Sequence, residues 1–176
     1  MRVNFYIDGF NFYYGLKRMS EANSLWKKYY WLDVVKLCNN YLDPSHTLQK
    51  VKYFTAPPMN EGKRKRQETF LKANKLLNSE VFEVINGKYI VKDIKCYKCS
   101  ETFERPEEKI TDVNIATQIM RDCYLDDVDR VVLLTADSDL LPPMKFILND
   151  VKSKKLKLIF PPKSYSSDLF NYMKKN

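Results

Sequence analysis

An α/β fold built on a parallel sheet is the architecture that this sequence predicts. Five short apolar runs alternate with segments of helical periodicity, the pattern of a sheet flanked by helices. The runs are mostly apolar rather than alternating, as strands covered on both faces require. The 176 residues suffice for a core: folded, the chain should expose roughly 9,000 Å² against roughly 30,000 Å² when extended. With 44% hydrophobic residues and only four glycines, disordered, collagen-like and glycine-loop architectures fit poorly. One domain spanning residues 1–176 is expected.

The elements follow in order. Val3-Asn4-Phe5-Tyr6-Ile7 reads as the first strand and Asp8-Gly9 as a turn. Residues 10–19 predict a helix, and Trp31 to Tyr41 a second, ended by Asp43-Pro44-Ser45. Gln49 to Thr55 is strand two. Residues 61–77 predict a helix with Phe70, Leu71, Ala73, Leu76 and Leu77 inward. Val81 to Ile85 is strand three, and Asn86-Gly87 signals a hairpin, with Lys88 to Cys96 as an antiparallel extension. That places an insertion near 86–108. Thr111 to Tyr124 predicts a helix capped by Thr111, with Val113, Ile115, Ala116, Ile119 and Met120 mostly inward. Arg130 to Thr135 is the clearest buried strand. A helix over Leu141 to Asn149 has Pro142-Pro143 in its first turn. Lys157 to Phe160 is the last strand, and residues 166–174 a final helix.

Thirty Lys and Arg against 22 Asp and Glu give a net charge of +8. The excess is local. Residues 27–98 hold 15 basic and 7 acidic side chains, most densely at Lys63-Arg64-Lys65-Arg66. Such a zone attracts a polyanion, or it simply keeps a helix soluble. Cations at a helix start oppose the helix dipole, which favours a ligand-binding role for the run. No stretch approaches 18 consecutive apolar residues, so no membrane partner is expected. Met1-Arg2-Val3-Asn4, with Asp8 close behind, does not fit a signal peptide, and four cysteines without an export signal suit a reducing cytoplasm.

Ligands of open α/β sheets sit beyond the carboxyl ends of the strands. Asp8 ends strand one, and Asp137 and Asp139 follow strand four. Asp112 opens a helix, and Asn11 lies three residues after Asp8. Four carboxylates from three distant segments can therefore meet at one edge. Their repulsion would raise their pKa values, and a hard divalent cation, Mg²⁺ or Mn²⁺, would relieve it. A metal there could hold phosphate oxygens, generate hydroxide and stabilise the leaving oxygen. Each Asp can instead serve as a helix cap or turn residue, and Ser138 can contact phosphate or cap. Asp122, Asp126, Asp127 and Asp129 read as a solvated loop, and Glu101, Glu104, Glu107 and Glu108 as surface.

Three blocks together resemble the NYN/LabA-like family of the PIN-like nuclease group. They are Phe5-Tyr6-Ile7-Asp8-Gly9-Phe10-Asn11-Phe12, Glu108-Lys109-Ile110-Thr111-Asp112-Val113, and Leu133-Leu134-Thr135-Ala136-Asp137-Ser138-Asp139-Leu140-Leu141-Pro142. The likeness implies a three-layer fold with a five-stranded parallel sheet in the order 3-2-1-4-5. It implies metal-dependent hydrolysis of RNA, less often DNA, as an endonuclease leaving 5′-phosphate and 3′-hydroxyl ends. Asp8, Asp112 and Asp137 would be the metal-binding core, with Asn11 and Asp139 in support. The chain departs from the family at Gln118, where a further Asp is common. Glutamine is a poor metal ligand and no base, which weakens a two-metal site, but Gln118 can still hydrogen-bond water or phosphate beside the metal. A homodimer is an open state.

Cys96-Tyr97-Lys98-Cys99 is half of a four-thiolate zinc site. Packing, zinc shared with another chain and a reversible disulfide all remain open for it, whereas a thioredoxin-like role does not suit a pair after a hairpin. One histidine, His46, excludes a mechanism that needs two. Phe10, Phe12, Tyr13 and Tyr14 beside Asp8 offer rings for base stacking or for the core. Phe10 stands where a haloacid-dehalogenase-like phosphatase needs its second Asp. No Gly-x-x-x-x-Gly-Lys-Ser/Thr run exists. A ribonuclease is the reading, with a nucleic-acid-binding or regulatory module of the same fold and little catalysis as the alternative.

Overall fold

The computed structural model describes residues 1–175. Its elements are β1 (Arg2–Asp8), α1 (Gly9–Ala22), α2 (Val34–Asn39), β2 (Thr47–Thr55), α3 (Glu61–Leu77), β3 (Phe82–Asn86), β4 (Lys88–Lys95), β5 (Thr102–Lys109), α4 (Thr111–Tyr124), β6 (Arg130–Leu134), α5 (Leu141–Lys145), β7 (Lys155–Ile159) and α6 (Ser167–Lys175). Five strands form one parallel sheet in the order β3-β2-β1-β6-β7. Counting its strands alone, that is the expected 3-2-1-4-5. β4 and β5 pair only with each other, antiparallel.

The sheet has a core on each face, divided by the two-residue period of its strands. Val3, Phe5 and Ile7 of β1 pack with Leu16, Val34, Val51 and Phe82. Tyr6 and Phe54 pack on the other face with Ile115, Ile119, Met144 and Leu169. Because β1 is central and its two neighbours come from opposite ends of the chain, the crevice opens beyond the carboxyl ends of β1 and β6.

Several local expectations are corrected. The helix expected over Trp31 to Tyr41 is split. Ser24–Trp31 forms a 3-10 segment, and α2 starts only after Asp33, whose carboxylate accepts from the Lys36 N–H at 3.0 Å. Asn86-Gly87 is not a hairpin turn. Asn86 ends β3, and Gly87 passes so close to α4 that a Cβ there would sit 2.5 Å from Thr111 Oγ1. The reversal lies at Cys96–Glu101, closed by Ser100 N–H donating to the Cys96 carbonyl, with Ser100 in the left-handed region. The expected helix Leu141 to Asn149 is α5 continued by a π turn over Phe146–Asp150. In α3, Phe70 and Leu71 pack inward as expected, but Ala73, Leu76 and Leu77 are exposed and the buried residue is Asn74. Its amide accepts from Val34 N–H and donates to the Leu32 and Phe70 carbonyls. In α4, Val113 and Met120 face out, and Ile115, Ile119, Asp122 and Cys123 face in.

The largest correction concerns the acidic segment after α4. Asp122 is buried, 1% exposed. Its carboxylate accepts from Lys52 Nζ at 2.6 Å, Tyr6 Oη at 2.6 Å and Asn4 Nδ2 at 3.3 Å. Asp129 and Asp126 bind the Arg2 guanidinium, and Asp126 also binds Lys154. These carboxylates therefore tie the amino-terminal edge of β1 to the far end of the chain. Lys52 is buried too, so one cation of the basic zone never meets solvent. The total surface of 10,691 Å² exceeds the roughly 9,000 Å² expected for a compact chain of this mass, since the β4–β5 hairpin lies outside both cores.

Truncating one partner of a buried ion pair leaves the other charge uncompensated. Asp122→Ala is therefore expected to lose about 3–5 kcal/mol of stability, whereas a Lys52→Met/Asp122→Leu pair loses less. Urea denaturation of the two variants checks this. An Asp122→Ala loss below about 1 kcal/mol would show that Lys52 reaches water instead.

Candidate metal centre

Asp8 is placed by the end of β1 and by the helix it starts. Its Oδ1 accepts from Asn11 N–H at 3.0 Å, so it caps α1. Its Oδ2 accepts from Asn11 Nδ2 and from Thr135 Oγ1 at 3.0 Å. Gly9 follows because a Cβ there would meet the Phe54 carbonyl oxygen at 2.5 Å. Asn11 also accepts from the Ala136 N–H at 3.3 Å, which joins the turn after β1 to the turn after β6.

Asp137 lies in that second turn. Its N–H donates to Thr135 Oγ1, and its Oδ1 accepts from Asp139 N–H, capping a 3-10 turn over Ser138–Leu140. Asp112 stands in the first turn of α4. The expected Thr111 cap is replaced: Ile110 takes that position in a left-handed conformation, φ 81°. The Glu108 carboxylate receives both the N–H and the hydroxyl of Thr111.

The three segments converge. One carboxylate oxygen each from Asp8, Asp112 and Asp137 lies within 4.8 Å of the other two. Asp8 is buried and the other two are half-buried. Burial, more than any neighbour, raises the Asp8 pKa. Burial also leads at Asp112, with the charges of Asp137, Asp8, Glu108 and Asp139 adding to it, and its carboxyl is pushed up to about 6. Carboxylates this close favour a proton or a cation between them, and an all-oxygen donor set suits Mg²⁺ or Mn²⁺.

The remaining candidates fall in different places. Asp139 and Ser138 are exposed, and Asp139 acts on Asp112 only through its charge. Gln118 accepts from Lys52 Nζ at 3.1 Å, in the Lys52–Asp122 network and not in the triad. Lys63, Arg64, Lys65 and Arg66 are exposed on the first turns of α3, which Asn60 caps. α3 follows the carboxyl end of β2, whose Phe54 pairs with Asp8, so the run opens on the triad's edge of the sheet. Cys96 and Cys99 sit at the hairpin tip as free thiols. Backbone N–H groups of Cys99 and Lys98 directed at the Cys96 sulfur lower its pKa. Among the described residues neither thiol belongs to a cluster of three metal-ligating side chains, so a four-ligand zinc site needs donors from elsewhere.

Two contributors escaped the sequence reading. Thr135 lay inside the third block, and a hydroxyl directly after a buried strand was its signal. Glu108, expected at the surface, is half-buried, and the sequence signal for its role is a carboxylate three residues before a helix-opening Thr.

The NYN domain family profile matches residues 2–175. The 6-hydroxy-3-succinoylpyridine 3-monooxygenase HspA of Pseudomonas putida (strain DSM 28022 / S16) is 29% identical over 180 residues, which cover 84% of this chain and 55% of that protein. The chain thus spans about half the length of that relative. No solved structure matches.

Because the Asp112 pKa is raised in the fold, from 3.8 to about 6, its contribution is full below the unfolded value and is lost as pH rises through the folded one. In EDTA the melting temperature is expected to fall between about pH 4 and pH 6 and to level off above that, and Asp112→Asn should flatten that window. Mn²⁺ should raise the melting temperature more at pH 7.5 than at pH 5, where protons compete for the carboxylates. Parallel profiles for wild type and Asp112→Asn would remove Asp112 as the source.

Proposed function

The chain belongs to the NYN domain family, and from that premise we propose that it is a divalent-metal-dependent ribonuclease that hydrolyses phosphodiester bonds. The observation that carries this reading is the convergence of Asp8, Asp112 and Asp137, from the start, middle and end of the sheet's connectivity, at its carboxyl edge.

The division of labour follows from the contacts. Asp8, Asp112 and Asp137 would hold Mg²⁺ or Mn²⁺, which supplies the positive charge that phosphoryl chemistry needs. Asn11 and Thr135 fix the Asp8 carboxylate by donating to it, and are positioning residues. Asp139 adds negative charge beside Asp112. Ser138 and the Lys63–Arg66 run face solvent on the same edge, where cations draw a polyanion toward the carboxylates. His46, the one histidine, is engaged with Asp43 at 3.1 Å and lies outside the triad, so a route through the ribose 2′-hydroxyl has no imidazole to serve it and water is the nucleophile. Attack by water on phosphorus with breakage of the P–O3′ bond, the leaving 3′ oxygen taking up a proton, gives 5′-phosphate and 3′-hydroxyl products.

Gln118 favours a second reading, a nucleic-acid-binding module with little catalysis, because its amide is spent on Lys52 and adds no carboxylate to the triad. A monooxygenase reading has only the relative's name behind it, and no feature of this chain favours it.

Purified protein is expected to cut RNA with Mg²⁺ or Mn²⁺, to stop with EDTA, and to stop in Asp8→Asn while keeping its circular dichroism. Thr135→Val should cost about 10–100-fold in metal affinity or rate. Undiminished cleavage in Asp8→Asn sinks the nuclease reading, and binding without cleavage in wild type selects the second. Replacing Lys63, Arg64, Lys65 and Arg66 with Ser should weaken RNA binding and reduce its salt slope by up to about 3. Unchanged affinity would make that run a solubility feature.

A further inference from the structure

We infer that the β4–β5 hairpin is a strand-holding arm whose cationic face binds single-stranded nucleic acid and leads it to the carboxylate triad. The choice of ligand rests on the nuclease reading, and the arm itself is argued from the pairing of the hairpin.

Residues directly opposite in an antiparallel pair share a face. The register Lys88↔Lys109, Ile90↔Glu107, Lys92↔Arg105 and Ile94↔Phe103 puts four cations, one carboxylate and three apolar side chains on one face. Glu107 binds both Lys92 at 2.8 Å and Lys109 at 3.2 Å, as that face requires. The opposite face carries Tyr89, Val91, Asp93 and Lys95 against Glu108, Pro106, Glu104 and Thr102. There carboxylates outnumber cations. Charge is thus sorted across a ribbon only two strands wide.

At its base the acidic face meets the body of the protein, while Val91, Asp93, Glu104 and Pro106 farther along it are exposed. Tyr89 meets Phe10 of α1 edge-on at 6.2 Å, and Glu108 caps α4. The cationic face makes no such contact and is exposed along Lys88, Ile90, Lys92, Phe103 and Arg105, with Ile94, Glu107 and Lys109 half-buried. Phe103 is 51% exposed, and the Arg105 side chain makes no hydrogen bond or ion pair among the described residues. Cations interleaved with an exposed ring and aliphatic side chains suit phosphates and unstacked bases together. Double-stranded RNA keeps its bases stacked and is met by shape across its shallow minor groove, so it offers the exposed ring no unstacked base. The base of the same face ends at Lys109, three residues before Asp112. A strand lying along the arm therefore arrives at the triad.

The test measures binding apart from cleavage. Fluorescence anisotropy of full-length protein with labelled oligouridine in EDTA, repeated across salt concentrations, is compared with the deoxy equivalent and with an RNA duplex. Lys92→Ser/Arg105→Ser should weaken oligouridine binding about tenfold and lower the salt slope by about 1.4, two contacts at about 0.7 each. Phe103→Ala should weaken it about tenfold with the slope unchanged. Asp93→Ser/Glu104→Ser, on the other face, should leave binding equal or tighter. Unchanged affinity and slope in the Lys92/Arg105 variant overturns the proposal, as does tighter binding to the duplex than to the single strand. Loss of a dimer in Phe103→Ala with RNA binding intact would assign the face to a second copy and also overturn it. Comparable binding of the deoxy strand supports the arm and shows that it ignores the 2′-hydroxyl. A wild type that binds through the arm but never cleaves removes the nuclease reading and leaves the arm standing.

Discussion

A carboxylate held at the buried end of a central strand is expensive unless it is surrounded by donors. Asp8 meets that condition with three of them: the backbone and amide of Asn11 and the hydroxyl of Thr135. The architecture of the carboxyl edge depends on this arrangement. Capping by Asp8 starts α1, Asn11 reaches across to the Ala136 N–H, and Thr135 passes the connection to Asp137. The two turns that carry the acidic groups are thus parts of one hydrogen-bonded unit. Their mutual repulsion is tolerated because the donors that orient them are fixed by the same strands.

The sheet and the triad were readable from local signals. Val131-Val132-Leu133-Leu134 has no alternative but a buried strand, and Asp8 and Asp137 stand directly after such runs. Capping and metal-binding readings of these residues looked like rivals, yet in the fold one carboxylate serves as cap and faces its partners with what remains. What escaped notice depends on contacts between distant segments. Asp122 sits among three other acids in a stretch that looks solvated, and only Lys52, 70 residues away, makes its burial tolerable. Asn74 displaced Ala73, Leu76 and Leu77 from the inner face of α3 because the α2 backbone needed an acceptor for Val34 N–H. Asn86-Gly87 has turn chemistry but the glycine answers to crowding against Thr111. Composition cannot distinguish a glycine needed for its torsion from one needed for its lack of a side chain.

The two ends of the sheet divide the acidic residues between distinct tasks. At the carboxyl edge, carboxylates face one another and leave negative charge unsatisfied. On the α4 face nearer the opposite end, Asp122 is matched by Lys52, Tyr6 and Asn4, while Asp126 and Asp129 are matched by Arg2 and Lys154. Gln118, a helical turn before Asp122, belongs to the matched group. The difference between these settings is counter-charge rather than acidity, and it separates carboxylates that could hold a metal ion from carboxylates that close the fold.

Ile110 joins the hairpin to α4 in a conformation that β-branched residues rarely adopt. Holding it there takes on the order of 1–3 kcal/mol from its surroundings. The surroundings that supply it are Glu108 on one side, fastened to Thr111, and Gly87 on the other, pressed against the same threonine. The end of β5 and the first turn of α4 are therefore held by one set of contacts around Thr111. The residues that lead into the turn bearing Asp112 are thus the same ones that anchor the ribbon to the body of the protein.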